Sequence, residues 1–119
     1  ALEAALLQGS GAQHRLLETL RGAAFRAGMN IARRDVIFEC ASSVGLDMPR
    51  FVAAFESPAT ARSVELSHRD AVAHGVRALP AVVIGDEWLM TGMRDLDEYR
   101  ETLGSWVERF TLQPPRVVH

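Results

Sequence analysis

Apolar positions recur along most of this chain at the helical spacing i, i+3, i+4, i+7. Ala1 to Gln8 is rich in Ala and Leu and reads as a helix. It has no N-cap residue before it, as expected for the tail of a helix begun upstream. Gly9-Ser10-Gly11 breaks it, and a helix-helix turn is the expectation. No strand precedes these glycines and no Lys-Ser/Thr follows them, so a phosphate loop has no support. From Ala12 to about Ala27 one face carries Leu16, Leu17, Leu20, Ala23, Ala24 and Ala27, and Gly28 ends the element. Ile31 to Val44 predicts a third helix with Val36, Ile37, Cys40, Ala41 and Val44 inward and Gly45 as its stop. Asp47 caps a short fourth helix carrying Phe51, Val52 and Phe55. Ser57 as N-cap and Pro58 at the first helical position start a fifth, running to His74 and stopping at Gly75. Its expected buried face is Ala61, Val64, Ala71 and Val72, with His68 on the same stripe.

The period then changes. Ala81 to Ile84 is short, β-branched and apolar, introduced by Pro80 and followed by Gly85-Asp86, a two-residue hairpin signal before Trp88-Leu89-Met90. Asp95-Leu96-Asp97-Glu98 is an acidic capping box for a last helix. The stripe Leu96, Tyr99, Leu103, Trp106, Val107 and Phe110 is expected to cover one face of the sheet, and Pro114-Pro115 to end ordered structure.

Charge and composition mainly remove possibilities. A net charge of −2 over 119 residues offers no footprint for nucleic acid or an anionic membrane. No apolar run approaches the roughly 20 residues of a membrane span, and no signal peptide opens the sequence, so a soluble protein is expected. His68 and His74 do not share a helix face as an i, i+4 pair would, so no metal is expected. Cys40 is the single cysteine. A dithiol cycle needs one thiolate to attack and a second to resolve the mixed disulfide, so these residues alone contain no redox centre and no catalytic residue for that chemistry. On an apolar helix face Cys40 is expected to be a buried, structural thiol.

The pattern Ala71-x-x-x-Gly75-Val76-x-x-Leu79-Pro80-Ala81-x-Val83-Ile84-Gly85-Asp86-x-x-x-x-Thr91-Gly92, followed by an acidic amphipathic helix, resembles the C-terminal part of the DsbA-like thioredoxin-fold proteins. The nearest likeness is to their FrnE-type branch, whose helical insertion is similar to Leu17-Glu18-x-Leu20 to Phe25, Asn30-Ile31 and Val44-Gly45-Leu46-Asp47. Where that family often has Val-Pro-Thr-Phe, this chain has Leu79-Pro80-Ala81-Val82. The resemblance implies an α/β, thioredoxin-like fold, α+β in the part present here: a DsbA-type helical insertion over 1–75, the C-terminal half of the thioredoxin-like domain over 76–113, and a tail over 114–119. The N-terminal β-α-β unit, which in the family bears Cys-x-x-Cys and the strand beside Ala81 to Ile84, is expected to lie outside these residues.

In function, the resemblance implies a cytoplasmic thiol-disulfide oxidoreductase that needs no cofactor. Pro80 would be the cis-proline facing the dithiol, and the backbone at Leu79 the docking point for a protein or peptide thiol/disulfide substrate. A homodimer is one way to cover the strand edge left open. Two other readings stay open. The glutathione-dependent kappa-type transferases and 2-hydroxychromene-2-carboxylate isomerases place helices before a similar cis-proline hairpin and use glutathione with one upstream serine or cysteine. A non-catalytic binding remnant would keep the groove and lose the redox chemistry.

Overall fold

The computed structural model describes residues 1–112. Six helices and one hairpin follow in order: α1 (Leu2–Leu6), α2 (Ser10–Phe25), α3 (Arg34–Ser43), α4 (Met48–Phe55), α5 (Pro58–Ala73), β1 (Ala81–Ile84), β2 (Trp88–Thr91) and α6 (Leu96–Leu112). The chain divides into two compact units, Ala1–Ser67 and the part from His68 onward.

The first unit is helical, and its core draws on all four opening helices. Ala4 and Ala5 of α1, Ala12, Leu16 and Leu20 of α2, Val36, Cys40 and Ala41 of α3, Leu46, and Phe51 of α4 form one buried cluster. Leu16 and Phe51 are sealed completely. Phe51 owes this to a three-ring group in which Phe38 meets Phe51 and Phe55 edge-on, at centroid distances of 5.9 and 5.3 Å. Arg34 covers the group from outside, its guanidinium 4.9 Å from the Phe38 ring and paired with Glu56. The break after α1 falls two residues earlier than the sequence suggests, at Leu7 to Gly9. Only Gly9 stands outside at the start of α2, with φ of 114°, while Ser10 and Gly11 are already helical. Conversely α3 starts late, because Asn30 folds Ile31–Arg33 into a turn: its side chain accepts from the Ala32 amide and its carbonyl from that of Arg33. A second fastening joins distant segments. Gln8 donates from Nε2 to the Asp47 carbonyl and accepts from the Asp47 amide, both at 2.9 Å, so its side-chain amide stands in for a strand neighbour.

The caps form as the residue types require. Asp47 Oδ1 accepts from the Arg50 amide at 3.3 Å, and Ser57 Oγ from the Ala59 amide at 3.2 Å. Gly75, at φ of 84°, ends α5, with the Val76 amide donating back to Ala71. The expected buried face of α5 is corrected: no residue of this helix is buried, Val64 and Val72 being 52% and 57% exposed. Ala61 and His68 are exposed as well, and Ala71 is half-buried. Burial needs an opposing surface, and among the described residues none covers that stripe.

In the second unit β1 and β2 pair antiparallel, Ala81 opposite Thr91 and Ile84 opposite Trp88. Three residues therefore separate the paired positions, where the sequence suggests two. Gly85 and Asp86 do supply the positive φ values of a type I′ turn, 57° and 58°, closed by the Glu87 amide donating to Ile84. Glu87 is an added residue before pairing starts. One face of the hairpin holds buried Ile84 and Met90 with half-buried Trp88, and the other presents Val83 and Leu89. At the start of α6 Asp95 and Glu98 complete the capping box, Glu98 N–H donating to Asp95 Oδ1 at 2.9 Å and Asp95 N–H to Glu98 Oε2 at 3.1 Å. The α6 stripe covers less than expected. Tyr99 and Trp106 are half-buried, whereas Leu96, Leu103 and Val107 are 61%, 45% and 53% exposed. An apolar stripe this wide exceeds the arc that one small hairpin can cover. Phe110's side chain and the Pro114-Pro115 tail lie outside what is described.

Candidate docking edge of the hairpin

Strand β1 has one partner, β2, among the described residues. Gly92 N–H donates to the Pro80 carbonyl at 2.9 Å and Glu87 N–H to that of Ile84 at 3.1 Å. Antiparallel pairing alternates these directions along a strand. Pro80, Val82 and Ile84 therefore address β2, while the backbone N–H and C=O groups of Ala81 and Val83 point to the free edge. Proline is tolerated here because Pro80 precedes Ala81, the first residue of β1. The Leu79–Pro80 peptide bond is cis, and the Leu79 side chain is 84% exposed. Next to it Val82 and Val83 are each 37% exposed. The backbone at Leu79, beside that exposed side chain, can pair with an extended peptide.

Two fastenings hold this segment. Behind the turn, the Trp106 indole of α6 lies against Gly85, so close that a Cβ there would meet Cζ2 at 2.4 Å. At the loop's base, His74 bridges the two ends of the segment that carries Leu79 and Pro80. Its Nδ1 lies 2.8 Å from the Asp70 carbonyl oxygen and its Nε2 3.2 Å from Asp86 Oδ1. Hydrogen bonding to the Asp70 carbonyl, helped by the charges of Asp70 and Asp86, raises the His74 pKa above the usual histidine value. The sequence signals were present separately, a histidine in the last turn of a helix and an acid at the left-handed position of a turn. Their pairing across 12 positions is tertiary.

Cys40 lies elsewhere, in the core of the first unit, and burial, with Glu39 beside it, pushes its thiol pKa up. A raised pKa keeps the sulfur protonated and weakly nucleophilic at neutral pH. No cluster of three His, Cys, Asp or Glu side chains suited to a metal occurs among the described residues, and no described helix is long and apolar enough to cross a membrane.

Comparison with known proteins defines the class. The profile of the DSBA-like thioredoxin domain family matches residues 2–104, and the chain belongs to that family. Among curated relatives, the ClpXP adapter protein SpxH of Shouchella clausii (strain KSM-K16) is 42% identical over 65 residues. Those residues are 55% of this chain and 22% of that protein, so the chain spans less than a quarter of this relative.

Proposed function

We propose that this chain supplies the substrate-docking part of a DsbA/FrnE-like protein thiol-disulfide oxidoreductase. An extended segment of a protein or peptide pairs with the backbone at Leu79, beside Pro80. The observation that carries the reading is the exposed Leu79–Pro80 segment at the start of β1, with the Leu79 side chain 84% exposed, in a chain of the DSBA-like family. The chemistry belongs to a dithiol outside this sequence. One thiolate attacks a substrate disulfide, expels the far sulfur as a thiolate and forms a mixed disulfide; the second thiolate resolves it, leaving substrate reduced and the pair oxidised. Cys40, single and buried, takes no part.

Titration with an extended, thiol-free peptide, followed by amide NMR, tests the docking. Shifts at Leu79 and Ala81 that weaken in Leu79→Asp are expected. An unchanged affinity in that variant would count against the assignment. Insulin reduction by the protein carrying both family cysteines tests the chemistry, and an inactive protein would sink it.

A second reading is supported by the name of the relative, an adapter. In it the same Leu79–Pro80 segment holds a protein partner without redox turnover. Partner binding that survives replacement of every cysteine would favour it over the oxidoreductase.

A further inference from the structure

The docking segment is the inside of a loop closed at its base by one side chain. His74 precedes the helix-ending Gly75 and Asp86 is the second residue of the hairpin turn, so Leu79, Pro80 and all of β1 lie between them. The imidazole is only 22% exposed, and both of its nitrogens face acceptors. Nδ1 meets the Asp70 carbonyl oxygen at 2.8 Å, with Asp70 Oδ1 at 3.5 Å, and Nε2 meets Asp86 Oδ1 at 3.2 Å. A carbonyl and an ionised carboxylate only accept, and a neutral imidazole has one N–H to give. The arrangement is complete only for the doubly protonated ring.

We propose that His74 is a positioning residue for the docking segment: as an imidazolium it straps the end of α5 to the hairpin turn, and its deprotonation loosens peptide capture at Leu79 and Pro80. The coupling to capture rests on the docking reading above. The strap itself does not. When one proton leaves, the Nδ1–H tautomer keeps the shorter bond to Asp70, and the Nε2 lone pair then faces a carboxylate oxygen. The turn end is released while the helix end stays tied.

The charged groups acting on the ring are Asp70 from α5 and Asp86 from the turn, both acidic. The Asp70 carbonyl bond is the largest influence and partial burial opposes it, with the net pKa raised from 6.5. A pKa raised on folding gives stability that is fully present below the unfolded value and is lost as pH rises through the folded one. The strap is therefore closed in acid and opens as pH rises through the His74 pKa, which lies above 6.5. Asp86 is 91% exposed, so the pair is salt-sensitive and its effect modest, roughly two- to fivefold on the affinity of an extended peptide.

The experiment is a pH titration of the full protein by NMR. It follows the His74 ring proton and the Gly85 and Asp86 amides in wild type, Asp86→Asn and His74→Gln, with the affinity for an extended, thiol-free apolar peptide measured at each pH. His74 is expected to titrate above 6.5, with a lower midpoint in Asp86→Asn and with the Gly85 and Asp86 amides following the same midpoint. Peptide affinity should fall through that midpoint in wild type and lose this step in His74→Gln. An unmoved midpoint in Asp86→Asn overturns the strap. An identical affinity profile in His74→Gln overturns its role in positioning. If wild type binds no peptide at any pH while the turn amides still track His74, the docking reading fails and the coupling with it, but the strap stands.

Discussion

Substituting Gly85 by alanine tests how the hairpin is held against α6. Two costs meet at this residue. Its φ is 57°, where an L side chain crowds the following carbonyl, at about 1–2 kcal/mol. The added methyl would also meet Trp106 Cζ2, Cε2 and Nε1 at 2.4, 2.6 and 2.7 Å, all far inside contact distance. These are atoms of a rigid ring, so either the indole or the whole turn has to shift, and overpacking of this kind costs about 1–3 kcal/mol. The sum is about 2–5 kcal/mol from the stability of the second unit. Gly92 provides the control. It has φ of 79° but nothing within 4 Å of the added position, so Gly92→Ala should show only the first cost, about 1–2 kcal/mol. Amide hydrogen exchange at Val82 and Met90, which pair across the hairpin, reads both variants. Adding Trp106→Ala to Gly85→Ala should cost less than the two single losses combined, because the overlap is gone. Equal losses for Gly85→Ala and Gly92→Ala, or strict additivity of the double variant, would refute the reasoning.

Other consequences are more local. Phe51→Ala empties a fully buried ring site between Phe38 and Phe55, and should cost about 3–5 kcal/mol. Exchange protection at Leu16 and Cys40 should then drop by roughly two to three and a half powers of ten. Asp95→Ala removes the acceptor of the Glu98 amide and should weaken the first turn of α6 by about 1 kcal/mol, whereas Asp95→Asn keeps most of it; exchange of the Glu98 amide measures both. Cys40, buried and with its pKa raised, should alkylate with iodoacetamide slowly at neutral pH in the native protein and quickly once unfolded. A native rate equal to that of an unstructured peptide thiol would contradict its placement.

The parts of this protein set by neighbouring residues could be read directly from its sequence. Asp47 and Ser57 cap their helices because a side-chain oxygen one turn ahead satisfies an amide that the helix leaves free. Asp95 and Glu98 lock reciprocally for the same reason, and Gly75 and Gly85 sit where the backbone turns left-handed. The turn residues Gly85 and Asp86 belong to this class. What the sequence could not fix is which surfaces find partners. The stripe on α5 has the same periodicity as that on α2, yet Leu16 is sealed and Val64 half open, since amphipathic spacing states a preference for burial and only an opposing surface supplies it. The clasp between Gln8 and Asp47, the Trp106 ring over Gly85 and the strap from His74 to Asp86 likewise join residues far apart in sequence. Their pairing depends on where helices end and turns point, which tertiary structure alone decides.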